Sequence, residues 1–338
     1  VSRMIPIEEI HGISPAQFDA EVASGYRPVV LRGLADGWPL VEAGRESARA
    51  ALDHLARFDS GRPADVMIAP PGENGRFFYR GDMRGFNFSV EKQPLGRLGT
   101  QLLDEAANDA APARYAGATD TAEHLPGFDD ANPLPLAQDK SGAQSRVWLA
   151  SRSQVATHYD LSDNVAVVAL GRRRFTLFPP EATADLYVGP LNITIAGQPV
   201  SMADPLNPDL ERYPRFAAAL DKAMTVELEP GDAIYIPTLW WHHVAALDPV
   251  NILVNYWYNH APHGGPFIAF VHALSAVRDL PQAERDAWRH WFEHFIFSPD
   301  ADHAADHLPL HARGVQGPPS PQRSEAIRAF VARALSGR

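Results

Sequence analysis

The chain has 338 residues, 30 prolines, 24 glycines and no cysteine, and its net charge is −11. Without cysteine there is no disulfide framework, no cysteine-ligated zinc or iron–sulfur site and no thiol nucleophile. The acidic balance disfavours a nucleic-acid partner, because phosphate contact needs basic patches. With 14 histidines, a metal held by nitrogen and oxygen is the first chemistry to seek.

The length allows two domains at most. Residues 1–12 carry no signal-type apolar region, and the longest apolar runs are too short to cross a bilayer. A soluble, cytoplasmic protein with no membrane partner is the expectation. In chain order, Ser14-Pro15-Ala16-Gln17 opens a helix with a capping pattern. Residues 27–32, 66–68, 77–79 and 86–88 read as short strands, and 95–107 as a helix. Residues 108–145, rich in Ala, Asp, Pro and Gly, read mostly as loop. Short β-branched or aromatic runs follow at 146–150, 165–169, 175–178, 225–228, 233–236, 241–245 and 252–258. Turn residues such as Gly171, Pro179-Pro180 and Glu229-Pro230-Gly231-Asp232 punctuate them, which predicts a sandwich or barrel.

After residue 260 the period becomes helical. Phe267, Phe270, Val271, Leu274 and Val277 form one stripe, and Trp288, Trp291, Phe292 and Phe295 a second. Ile327, Phe330, Val331 and Leu335 make a terminal helix. The expected division is a catalytic domain over 1–260, with an N-terminal elaboration to about 145 and a barrel over 146–260, then a helical region over 261–338. The large aromatic stripes either cover the barrel or join two copies of the chain, and a homodimer through these helices is the expectation.

The most informative stretch is Thr157-His158-Tyr159-Asp160. Residues two apart on a strand share a face, so His158 and Asp160 can reach one ion. A histidine from Trp240-Trp241-His242-His243, brought in by a neighbouring strand, completes two histidines and a carboxylate. That triad leaves positions open on iron(II). Spacing alone does not choose between His242 and His243, since adjacent strand residues face opposite ways.

His158-Tyr159-Asp160, Phe175-Thr176-Leu177-Phe178-Pro179-Pro180, Pro230-Gly231-Asp232, Tyr235-Ile236-Pro237 and Trp240-Trp241-His242-His243 together resemble the cupin-like JmjC dioxygenases, among them the asparaginyl hydroxylase of hypoxia-inducible factor. The resemblance runs from about residue 27 to 258 and includes Arg76-Phe77-Phe78-Tyr79 and Gly85-Phe86-Asn87-Phe88. It implies a mainly β fold, a double-stranded β-helix (cupin or jelly-roll) core, with an N-terminal α/β elaboration and C-terminal helices. It implies iron(II), held by His158, Asp160 and His242, with 2-oxoglutarate as cosubstrate and dioxygen as oxidant. His243 is then expected to pack outside the barrel.

The family lysine that meets the far carboxylate of 2-oxoglutarate corresponds to Arg173 here, fifteen residues after His158. Guanidinium serves that purpose bidentately. Arg172 and Arg174 would then face the other way, and a solvated hairpin turn is the plainer alternative for all three. By the same resemblance Tyr115 bonds the far carboxylate, Asn164 and Asn255 lie near the chelating end, and Trp257 is a pocket wall. One family threonine is replaced by Val155, and Thr157 is out of phase with it.

The activity implied is hydroxylation of a protein or peptide side chain, releasing succinate and carbon dioxide. N-methyl demethylation by the same family, a metal-binding cupin without oxygenase activity, and a barrel used only as a binding module are the rivals. The helical pairs His290/His294 and His303/His307 have zinc-like spacing, but an aromatic stripe and a surface segment explain them better. Gly264-Gly265-Pro266 is no phosphate loop, and Asp104-Glu105 reads as a solvated face.

Overall fold

The structure, a computed structural model, describes residues 5–138, 140, 142–195, 197–259 and 265–336. The chain divides into two compact units, Val1–Asn259 and His260–Arg338.

Among the described residues of the first unit, fourteen strands form two sheets. They are β1 (Glu8–His11), β2 (Val29–Arg32), β3 (Ala64–Ala69), β4 (Arg76–Phe77), β5 (Ser89–Gln93), β6 (Ala113–Asp120), β7 (Gln144–Ala150), β8 (Ser153–His158), β9 (Asp163–Leu170), β10 (Arg173–Phe178), β11 (Met224–Leu228), β12 (Ala233–Ile236), β13 (Trp241–Ala246) and β14 (Asn251–Tyr258). The larger sheet runs β1-β2-β12-β9-β14-β7-β6-β3-β5 and the smaller β11-β10-β13-β8-β4. From β7 onward the chain crosses between sheets at nearly every connection, and these strands pair with one another antiparallel, while β8 also pairs in parallel with β4. This is the jelly-roll core of a cupin, mainly β with flanking helices.

Burial explains the strand sequences. Every residue of β9 is buried. Ala166 and Val168 face the barrel interior with Phe175, Ile234 and Val244. Val165, Val167 and Ala169 face outward under helix Pro39–Glu46, in one core with Leu40, Val41, Leu98 and Leu102. A strand covered on both faces reads as a continuous apolar run rather than an alternating one. The turn before β12 is tied by Asp232, which accepts from Arg32 Nη1 at 2.6 Å and from the Gly33 amide at 3.0 Å. Gly231 in that turn has φ +105°, and a Cβ there would collide with the Asp36 carboxylate. At the N-terminus the capping box forms: Ser14 Oγ accepts from the Gln17 amide and Gln17 Oε1 from the Ser14 amide.

Three expectations need correction. Residues 108–145 are not mostly loop: β6 lies there, paired to both β3 and β7, with short helices at Thr121–His124, Phe128–Ala131 and Pro135–Gln138. Its sequence is poor in β-branched residues, so its neighbours, not its propensity, make it a strand. Residues 86–88 form only a bridge, Tyr79 to Phe86, while the polar stretch Ser89–Gln93 pairs with β3 as an exposed edge strand. Finally, β8 ends at His158, so Asp160 sits in the loop that follows.

In the second unit, helices Pro266–Ala273 and Gln282–Phe292 each continue into a wider-wound turn, Leu274–Arg278 and Glu293–Phe297. Helix Pro321–Leu335 is capped by Ser320, whose Oγ accepts from the Arg323 amide at 3.1 Å. Gly264, and the expected boundary at 260–261, lie outside the described residues. No helix is long and apolar enough to cross a membrane among the described residues.

Candidate metal centre and the chamber beside it

His158 ends β8 and His242 is the second residue of β13; the two strands pair with these histidines directly opposite. Their rings lie 4.3 Å apart at 57°. Asp160 completes the group, and one ligand atom from each of the three lies within 4.8 Å of the others. His242 Nε2 is 3.6 Å from Asp160 Oδ2. His158 Nδ1 contacts the Ala156 carbonyl at 2.9 Å, and His242 Nδ1 the Trp240 carbonyl at 3.0 Å. A carbonyl only accepts, so each Nδ1 carries the proton and each Nε2 keeps a lone pair for a metal. Burial pushes His242 down to about 4, so it is neutral at pH 7. His243 lies on the opposite face of β13, buried, and burial holds it at about 4 while Asp204 opposes the shift. His242, not His243, joins the group.

Arg173 begins β10 on the barrel's inner face, two residues before Phe175. It is 2% exposed, and neither Nε nor Nη2 has a hydrogen-bond partner among the described residues. Desolvation pulls it down to about 10, still charged at pH 7, and Tyr115 opposes the shift. Its neighbours behave differently: Arg172 pairs with Asp248 at 3.0 Å and Arg174 with Glu227 at 2.5 Å, both partly in solvent. The solvated-turn alternative therefore fails for Arg173 and holds for the other two. A buried cation with no carboxylate against it is expensive unless an anion comes to meet it.

Tyr115 on β6 is buried, and burial pushes its hydroxyl well above the usual range while the Arg173 charge pulls it back. Asn164 is directly opposite Trp257 across β9 and β14, and Asn255 is two residues along on the same face. Asn164 Nδ2 donates to Asp160 Oδ2 at 3.2 Å, while Asn164 Oδ1 is buried without a partner. Trp257 Nε1 and Thr157 Oγ1 are likewise buried and unpartnered among the described residues. Asn255 Oδ1 accepts from Trp148 Nε1 at 2.7 Å.

That tryptophan carries no local signal in the sequence. Trp148 packs against Tyr115 at 5.8 Å and Trp257 at 6.0 Å, and Phe77 against Tyr115 at 5.4 Å. Gly117, at a bulge in β6, leaves room for these rings. Trp148 was findable only through register, because it meets Asn255 diagonally across β7 and β14. A second bulge, in β8 opposite His243, breaks the alternation that placed Thr157 and Val155. Among the described residues, His290, His294, His303 and His307 join no group of metal-ligand type.

Two imidazoles and a carboxylate that could hold one metal ion thus converge inside the jelly-roll barrel of a cupin. The donor set suits iron(II), and the orphaned donors and acceptors beside it suit a polar, anionic small molecule. The chain belongs to the cupin-like domain family, whose model matches residues 15–264. HSPB1-associated protein 1 of Homo sapiens is 37% identical over 121 residues, which is 35% of this chain and 24% of that protein. Its Danio rerio homolog is 27% identical over 236 residues, 68% of this chain and 51% of that protein. The chain thus spans between a quarter and a half of these relatives. tRNA wybutosine-synthesizing protein 5 of Mus musculus is 23% identical over 273 residues, 76% of this chain and 79% of that protein.

Proposed function

We propose that this protein is an iron(II)- and 2-oxoglutarate-dependent oxygenase that hydroxylates a side chain of a protein or peptide. The observation that carries the reading is Arg173, a buried guanidinium without an anionic partner in the barrel that holds the triad. A dicarboxylate long enough to reach both explains it. In this reading His158, Asp160 and His242 hold the metal. Arg173 and Tyr115 bind the far carboxylate. Asn164 steadies Asp160 and offers its free oxygen at the chelating end, while Asn255 braces the wall of Trp148 and Trp257. Iron(II), when bound, supplies oxygen activation coupled to decarboxylation of 2-oxoglutarate to succinate and carbon dioxide. The protein's part is to orient the reactants and keep the chamber dry.

A protein substrate fits the net charge of −11, and one set of relatives is named for association with the protein HSPB1. A second reading, hydroxylation of a tRNA nucleoside, is supported by the relative named for wybutosine synthesis, which covers more of this chain. Turnover separates the two: succinate release should rise with a peptide library and not with bulk tRNA, and the reverse moves the substrate to RNA. Asp160→Ala should abolish succinate release in either case, and undiminished release would remove Asp160 from the triad. The domain division and homodimer remain part of this proposal. Trp288, Trp291 and Phe295 form a run of touching, exposed rings in the C-terminal unit. A dimer mass by light scattering is expected, and a monomer mass at micromolar concentration would contradict it.

A further inference from the structure

The turn at residues 237–240 joins β12 to β13 and delivers His242. Leu239 at its apex has φ +66°, the left-handed region that a bulky side chain rarely enters. Its side chain is 43% exposed, so burial of the leucine does not explain the conformation. Hydrogen bonds do. The Leu239 amide and the Thr238 hydroxyl both donate to the Asp160 carbonyl, at 3.0 and 3.2 Å. The Thr238 amide donates to Asp163 Oδ1 at 2.9 Å. Asp163 is buried, and the Tyr235 hydroxyl also bonds to it. From outside, Tyr26 Oη donates to the Thr238 carbonyl at 2.7 Å, and Trp240 Nε1 donates to the Tyr26 carbonyl at 3.2 Å. Tyr26 is itself left-handed, at φ +47°.

The turn therefore grips the backbone of one ligand, Asp160, and through the Trp240 carbonyl orients the ring of another, His242. The two ligands lie far apart in sequence, and Asp160 is beyond the end of its strand, where no ladder holds it. We infer that this strained turn, anchored by Asp163, sets the geometry of the metal centre, and that Asp163, Thr238 and Tyr26 are positioning residues for it. The inference rests on reading the triad as a metal centre. Groups that orient metal ligands through hydrogen bonds typically contribute about 10–100-fold in affinity.

Cobalt(II) titration of the metal-free chain tests this, with d–d absorption reporting affinity and geometry, and thermal midpoints recorded without metal. Asp163→Ala and Thr238→Val should each weaken cobalt(II) about 10–100-fold and alter the spectrum. Asp163→Asn keeps an acceptor for the Thr238 amide and should bind within a few-fold of wild type. Tyr26→Phe, at an exposed residue, should fold and lose several-fold. If Asp163→Ala does not fold, Thr238→Val and Tyr26→Phe decide the matter. A merely structural role would lower the midpoints and leave affinity and spectrum unchanged, which would overturn the inference alone. A wild-type chain that binds no cobalt(II) would overturn the metal reading as well.

Discussion

Asn164 Nδ2 donates to Oδ2 of Asp160 at 3.2 Å, the same oxygen that lies 3.6 Å from His242 Nε2. One amide therefore holds the carboxylate on the side where the metal ligands converge, and its other end is buried with nothing to bond. Asn164→Ala frees the carboxylate and removes the amide oxygen. Metal affinity should fall by about an order of magnitude or more, and the 2-oxoglutarate requirement should rise with it. Calorimetric titrations check both, and wild-type values for both would remove Asn164 from the site.

Arg173 gives a prediction with two opposite signs. In the ligand-free protein it is a buried, unpaired charge. Even a buried ion pair is often replaced by apolar groups of similar volume at no cost or with a gain of about 1–4 kcal/mol, and an unpaired cation has no partner attraction to lose. Arg173→Met should therefore match or exceed the wild-type melting temperature without ligand, yet need 2-oxoglutarate at orders of magnitude higher concentration. A destabilised variant with a normal requirement would give Arg173 a structural role.

Gly117 tests the aromatic wall. A Cβ at this position would lie 2.6 Å from Tyr115 Cε1 and 2.9 Å from Trp148 Cζ3. Both rings would have to shift, so Gly117→Ala should cost about 1–3 kcal/mol by overpacking and weaken 2-oxoglutarate binding. A urea midpoint and a KM measurement that both match wild type would show the wall to be pliable.

Acid should loosen the metal-free protein. Burial holds His242 and His243 at about 4 in the folded chain, against about 6.5 when unfolded. Between these values the unfolded chain binds protons that the folded chain refuses. Stability is thus complete above about pH 6.5 and falls as pH drops toward the folded values. Urea midpoints should be flat at neutral pH and decline across that window, with a shallower slope in His243→Gln. A flat profile through the window would contradict the assignment of both rings as buried and neutral.

What was legible in the sequence follows from local rules. The triad and Arg173 lie on or beside short strands, where alternation turns spacing into facing. The aromatic stripes of the tail read directly as helices. Other features needed partners far away in sequence. The strand containing Tyr115 is held by β3 and β7, not by its own residues. Trp148 acquires its role through register with Asn255. The turn that delivers His242 offers no glycine or asparagine at Leu239, so its left-handed backbone leaves no trace in composition. Asp160 met the correct partner from a loop rather than a strand, because the turn at 237–240 holds its backbone where a ladder would have.

On the proposed function, one barrel interior brings iron(II) and a dicarboxylate together. Anaerobic titration of the iron(II)-loaded protein with 2-oxoglutarate tests it most directly, followed by visible absorption. A metal-to-ligand charge-transfer band that saturates with 2-oxoglutarate, and that Arg173→Met shifts to much higher concentration, is the predicted result. No band in a protein shown to hold iron would contradict it.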